Sequence, residues 1–174
     1  MCGWAVIGQF ARSKWYRTDE TRIQPGNDHT SLVIPRPAKY GTWLATQARQ
    51  DGVYETNYLI SSTPLKAGQF YCLNFWYYLF GIDLGSSLGV YAAKQAMASD
   101  SPSNDSNYKP LWYSDLPISR NWNQHFVEIP MQDHDFYLVF VGKVATTTVM
   151  GLDDFALSNG TCSVVSSEWC DFEV

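Results

Sequence analysis

Residues 69–80 read QFYCLNFWYYLF. In an extended chain side chains alternate between faces. Phe70, Cys72, Asn74, Trp76 and Tyr78 then share one face, and Tyr71, Leu73, Phe75, Tyr77 and Leu79 the other. Both sets are mostly apolar, which predicts a central strand covered on each side. Outward from this stretch no window keeps an apolar 3.6-residue period with helix caps. Short β-rich segments recur instead, separated by Gly, Pro, Asn, Asp and Ser. They predict strands at 31–34, 42–46, 55–60, 69–80, 87–93, 111–113, 124–129, 136–144 and 148–156, with a short one at 170–173. Many antiparallel strands with turns between them predict an all-β fold, an antiparallel two-sheet β-sandwich. Pro64, Pro110, Pro117 and Pro130 fall at strand ends or in loops, where a missing N–H does little harm. The polar stretches 13–30 and 100–110 read as long loops.

The chain has 174 residues, a length expected to form one domain over 1–174 with a substantial core. Hydrophobic residues make up 45% and charged ones 17%, too apolar a balance for a disordered chain. A net charge of −5, with Lys and Arg scattered, argues against a nucleic-acid partner or a docking stripe for anionic lipid. No run approaches the roughly 20 apolar residues that cross a bilayer, so no membrane insertion by this segment is expected. No signal peptide precedes Cys2, so Met1 reads as an added start codon on an excised piece. Four cysteines suit two disulfides, with three pairings open, and none of their spacings is a zinc pattern.

The words around those cysteines are CGW at 2–4, CLNFWYYLFG at 72–81, GLDDFALSNGTC at 151–162 and CDFE at 170–173. Together they resemble the MAM domain, an extracellular adhesion and assembly module. In that family a CxFE phrase comes first and a CGW-like phrase follows it; here the order is reversed. The chain therefore resembles a MAM domain with its first strand moved to the C-terminus, a circular permutation. Alternatively, residues 170–174 begin a neighbouring repeat. The resemblance implies a jelly-roll topology and the pairs Cys72–Cys162 and Cys2–Cys170. The first closes a loop of about 90 residues, worth about 4–5 kcal/mol on a chain-entropy argument.

The resemblance also implies a calcium ion near the junction of the first and last strands, with Asp28, Asp153, Asp154 and Glu173 as candidate oxygen donors. Asp153 and Asp154 are adjacent in an apolar strand. Strict alternation sends them to opposite faces, so one of them meets the inner layer or its rim. Their divergence also argues against a glycosidase acid–base pair. The local alternative is that Asp28 caps a turn and one Asp of the pair accepts backbone hydrogen bonds. Histidines 29, 125 and 134 lie far apart, and no HExxH occurs, which argues against a zinc enzyme. GSSLG at 85–89 matches G-x-S-x-G around Ser87, but a strand pattern follows where a nucleophile elbow needs a helix. It reads as a hairpin turn between 69–80 and 87–93. Asn104 and Asn159 head N-glycosylation sequons.

Core packing is the default for Trp43 and Trp76, while for Trp112 and Tyr113 the sequence leaves core packing and an exposed protein or sugar patch both open. No residue set converges on catalysis. The expected function is a non-catalytic extracellular recognition module that binds protein, a copy of itself included, or assembles larger proteins. The competing expectation is a carbohydrate-binding lectin-like jelly roll, to be distinguished by an exposed aromatic platform beside the metal site.

Overall fold

The computed structural model describes residues 4–7, 15–18, 43–47, 54–81, 85–95, 107–114, 121–145 and 147–162. Ten strands run through them: β1 (Trp4–Ile7), β2 (Tyr16–Thr18), β3 (Trp43–Gln47), β4 (Glu55–Ser61), β5 (Tyr71–Phe80), β6 (Ser87–Ala93), β7 (Tyr108–Ser114), β8 (Asn123–Ile129), β9 (Tyr137–Val144) and β10 (Val149–Asn159). They form two antiparallel five-stranded sheets. The front sheet has the order β1-β4-β9-β6-β7 and the back sheet β2-β3-β10-β5-β8. Strands β3 to β10 follow the jelly-roll plan, with β3-β10-β5-β8 opposite β4-β9-β6-β7. β1 and β2 each extend one edge of a sheet.

The stretch at 71–80 is the inner strand it promised to be, bonded to β10 on one side and β8 on the other. Its Leu73, Phe75 and Leu79 fill the space between the sheets with Val127, Ile129, Met150, Leu152 and Phe155 of the same sheet. Leu59, Leu88, Val90, Leu138 and Phe140 come from the front sheet to meet them. Phe75 is the hub. Its ring lies 5.0 Å from Phe140, 5.5 Å from Trp112 and 6.4 Å from Phe155. The first two pairs meet edge to face and the third is stacked, and such aromatic pairs add about 0.5–1.5 kcal/mol beyond area burial.

Three expectations need correction. The stretch 13–30 is not all loop. Tyr16–Thr18 pairs with β3, and Trp15 before it is a core residue at 2% exposure. Its ring has room because Gly142 on β9 carries no side chain. A Cβ there would lie 2.9 Å from the Trp15 ring.

Tyr108–Pro110, read as the end of a loop, belong to β7. Pro110 sits on an edge strand where the register slips, with Val90 opposite Trp112 but Tyr91 opposite Pro110. Leu111 is the extra residue of a bulge, and a proline is tolerated there. Finally, β5 and β6 are not a hairpin. They lie in different sheets, and the chain between them crosses the sandwich. Ser86 pins that crossing, donating to Thr148 Oγ1 at 3.0 Å while its Oγ accepts from the Ala145 N–H. The strands expected at 31–34 and 170–173 lie outside the described residues.

Candidate functional site

Cys72 and Cys162 form a disulfide, with Cα atoms 4.9 Å apart and 90 positions between them in sequence. Cys72 is the second residue of β5, and Cys162 follows the end of β10, so the bond staples two neighbouring strands at one end of the back sheet. Cys2 and Cys170 lie outside the described residues, as do Asp28, Glu173, Asn104 and His29. Asn159 closes β10 and is exposed, so its side chain is accessible.

Asp153 and Asp154 depart from simple alternation. The pairing of β10 with β5 breaks between Asp153 and Ala156. Asp154 has φ +48°, a left-handed conformation that costs a residue with a Cβ. Both carboxylates are buried, at 0% and 6% exposure. The Asp154 N–H donates to Asp153 Oδ1 at 3.0 Å, a local turn that steadies the bulge. The bulge lies just past Leu152, where the ladder between β10 and β3 ends. These are the first and last strands of the jelly roll. Among the described residues no three acidic, histidine or cysteine side chains come together as a metal cluster.

Ser87 opens a strand rather than a strand-to-helix elbow, and it is buried. His134 pairs with its neighbour Asp133. His125 stacks on Trp112 with ring centroids 4.5 Å apart, and burial pulls its pKa down. Of the two alternatives Trp112 takes the core, facing inward because the Leu111 bulge turns it to the side of Val90. Tyr113 takes the surface, at 54% exposure. Trp76 is only partly buried, and the side chain of Trp43 is not described.

The outer faces of the two sheets differ. On the back sheet Tyr78 and Ala45 are buried under Trp122, and the rings of Tyr78 and Trp122 are 5.7 Å apart. Toward the β8 edge this face opens, and Phe126 is 48% exposed opposite Asn74. Gln124 donates to Asn74 Oδ1 at 3.2 Å beside it. The outer face of the front sheet has a floor of Ile60, Ala93, Val139 and Val141, with half-buried Tyr58, Tyr91, Tyr108 and Tyr137 around it. Tyr91 and Tyr108 meet edge to face at 6.4 Å. Burial raises the pKa of the Tyr91 hydroxyl, and the neighbouring Tyr113 adds to this. Sequence reasoning missed this tyrosine set. The signal was present in β6, where Tyr91 is flanked at alternate positions by Gly89 and Ala93, residues too small to hide a ring.

Known structures share this architecture. The K3 cleaved adhesin domain of Lys-gingipain from Porphyromonas gingivalis W83 superimposes with a TM-score of 0.59 at 17% identity, over 92% of this chain and 93% of that one. TmCBM61, solved in complex with β-1,4-galactotriose, gives 0.52 at 12% identity, over 90% of this chain and 88% of that one. The enzymatically active domain of bacteriophage CBA120 tailspike protein 4 gives 0.54 at 12% identity. There 91% of this chain spans only 19% of the tailspike. At such identities the likeness is one of fold. The sequence itself matches the family model described as MAM domain, meprin/A5/mu, over residues 1–163, which leaves CDFE outside the match. With most of its length matched, two jelly-roll sheets and the Cys72–Cys162 staple, this chain belongs to the MAM domain family.

Proposed function

We propose that this chain is a non-catalytic extracellular adhesion module whose partner is a protein, a second copy of itself included. Membership of the MAM family carries this reading. A disulfide that endures is at home outside the cell and out of place in a reducing cytosol. The buried Ser87 and the scattered histidines offer no nucleophile–base pair among the described residues. Beads coated with the purified, oxidised chain are expected to aggregate, and free chain to compete the aggregation away. Beads that stay dispersed, together with a monomer at every concentration in sedimentation equilibrium, would remove the self-binding part. A pull-down from cell-surface protein that recovers no partner either would remove the rest.

The Cys2–Cys170 bond and the permuted first strand belong to the same proposal. A monomer band on a non-reducing gel favours closure within one chain, and a ladder favours exchange between copies. Calcium is a further part. A buried pair of carboxylates needs compensating charge or hydrogen bonds, and Asp153 with Asp154 at a backbone bulge is a hard-oxygen donor set of the kind calcium takes. Asp28 and Glu173 would complete it. When bound, the ion would supply the positive charge that balances the pair.

A second reading, carbohydrate binding, is favoured by the exposed aromatics of the two sheets. The fold likeness to a module solved with galactotriose is compatible with it.

A further inference from the structure

We propose that the outer face of the front sheet is a platform for a neutral oligosaccharide, with Tyr113, Tyr91 and Tyr58 as its stacking rings. The proposal rests on the carbohydrate reading and gives it a surface and a ligand class. Three rows cross the strands β4, β9, β6 and β7. The first runs Tyr58, Val141, Gly89, Tyr113, and the second Ile60, Val139, Tyr91, Pro110. The third runs Tyr137, Ala93, Tyr108.

Gly89 is the feature that makes the first row continuous. A Cβ on it would lie 2.6 Å from a carbon of the Tyr91 ring, so the ring lies down over the glycine. Tyr91 thereby fills the gap between Tyr58 and Tyr113. Three strand spacings separate Tyr58 from Tyr113, about 14 Å, a span that suits a short chain of linked sugars better than a single one.

The chemistry of the face selects the ligand. None of the eleven residues in the three rows is charged, in a chain of net charge −5. On the same face Lys143 lies one row beyond and stands 4.6 Å over the Tyr54 ring. An anionic ligand would find no counter-charge here, whereas a neutral one loses no ion solvation on arrival. The C–H-rich faces of pyranose rings pack on aromatic faces, and tyrosine hydroxyls at the rim serve sugar hydroxyls as donors and acceptors.

The test is isothermal titration and affinity electrophoresis of the full oxidised chain with β-1,4-galactotriose and xylohexaose as neutral probes and polygalacturonate as the anionic one. A neutral probe is expected to bind. Tyr113→Ala should weaken that binding by at least about tenfold, Tyr113→Phe should keep most of it, and Phe126→Ala on the other sheet should leave it unchanged. Binding of neither neutral probe, or of polygalacturonate alone, overturns the proposal; if no probe binds at all, the carbohydrate reading falls with it. Binding that survives both Tyr113→Ala and Tyr58→Ala, or that Phe126→Ala abolishes, overturns the surface while leaving the carbohydrate reading standing. Concentration-dependent dimerisation abolished by Tyr113→Ala, without saccharide binding, gives the face to a second copy and overturns the proposal.

Discussion

The two outer faces of this sandwich start from the same alternation and end differently. On the back sheet Tyr78 of β5 is buried again, under Trp122, with Trp76 and Phe80 partly buried around it, and beside them lies the Asp153–Asp154 bulge. That face is a second, smaller core. On the front sheet the outward side chains are tyrosines over small aliphatic residues, left half in water. The difference teaches that an apolar outward face is not by itself a binding surface. What separates the two is whether large rings are covered, as Tyr78 is, or left open, as Tyr113 is at 54% exposure.

The largest effect is expected from cutting the staple of the back sheet. Cys72→Ser with Cys162→Ser is expected to cost about 4–5 kcal/mol on the loop-entropy argument, read as a lower urea midpoint. A loss below ~1 kcal/mol would mean that the strands hold without it.

Next comes a paired substitution across the faces. Tyr78→Ala empties a fully buried site and should cost about 3–4 kcal/mol, whereas Tyr113→Ala should stay within about 0.5 kcal/mol of the parent. Equal losses would erase the distinction drawn here.

Calcium sharpens it further. If Asp153 and Asp154 hold the ion, calcium at about a hundredfold over Kd adds about 2.7 kcal/mol and raises Tm, and Asp153→Ala removes the response. An EDTA-insensitive Tm would leave the pair with a local structural role.

The smallest effect concerns the β7–β8 edge, where the faces meet. Burial lowers the His125 pKa from 6.5. As pH falls, the unfolded chain therefore takes up this proton first. The stability contributed by the neutral, stacked ring is full above about 6.5 and declines as pH drops toward the folded value. The urea midpoint should fall between about pH 7.5 and about pH 5.5, and the fall should shrink in His125→Phe. A rise instead would mean that attraction between imidazolium and the Trp112 ring outweighs desolvation.

Much of this was legible in the sequence. The long apolar run at 71–80 and the strand 87–93 announce themselves because their alternation is uninterrupted and their flanks carry turn residues. The family phrases implied Cys72–Cys162, which the structure contains. The misreadings share a cause. Trp15 and the three-residue β2 are too short to show a period, and only pairing with β3 makes them a strand. Pro110 argued for a loop because the sequence does not reveal that β7 is an edge with a bulge. The bulge at Asp153–Asp154 left no mark in the sequence, because alternation assumes a regular strand. The β5–β6 hairpin failed because a turn motif marks where a chain bends but not which sheet it enters next.

The staple has a mechanical consequence. Cys162 sits just past β10, so tension applied to whatever follows it passes straight into β5 through a covalent link and bypasses the hydrogen-bonded ladder between those strands. The 90-residue span it encloses is withdrawn from the pulling path, which removes about 300 Å of slack that an unlocked chain would release under load. A tether between surfaces built this way resists stretching as a rivet does, up to the strength of one sulfur–sulfur bond.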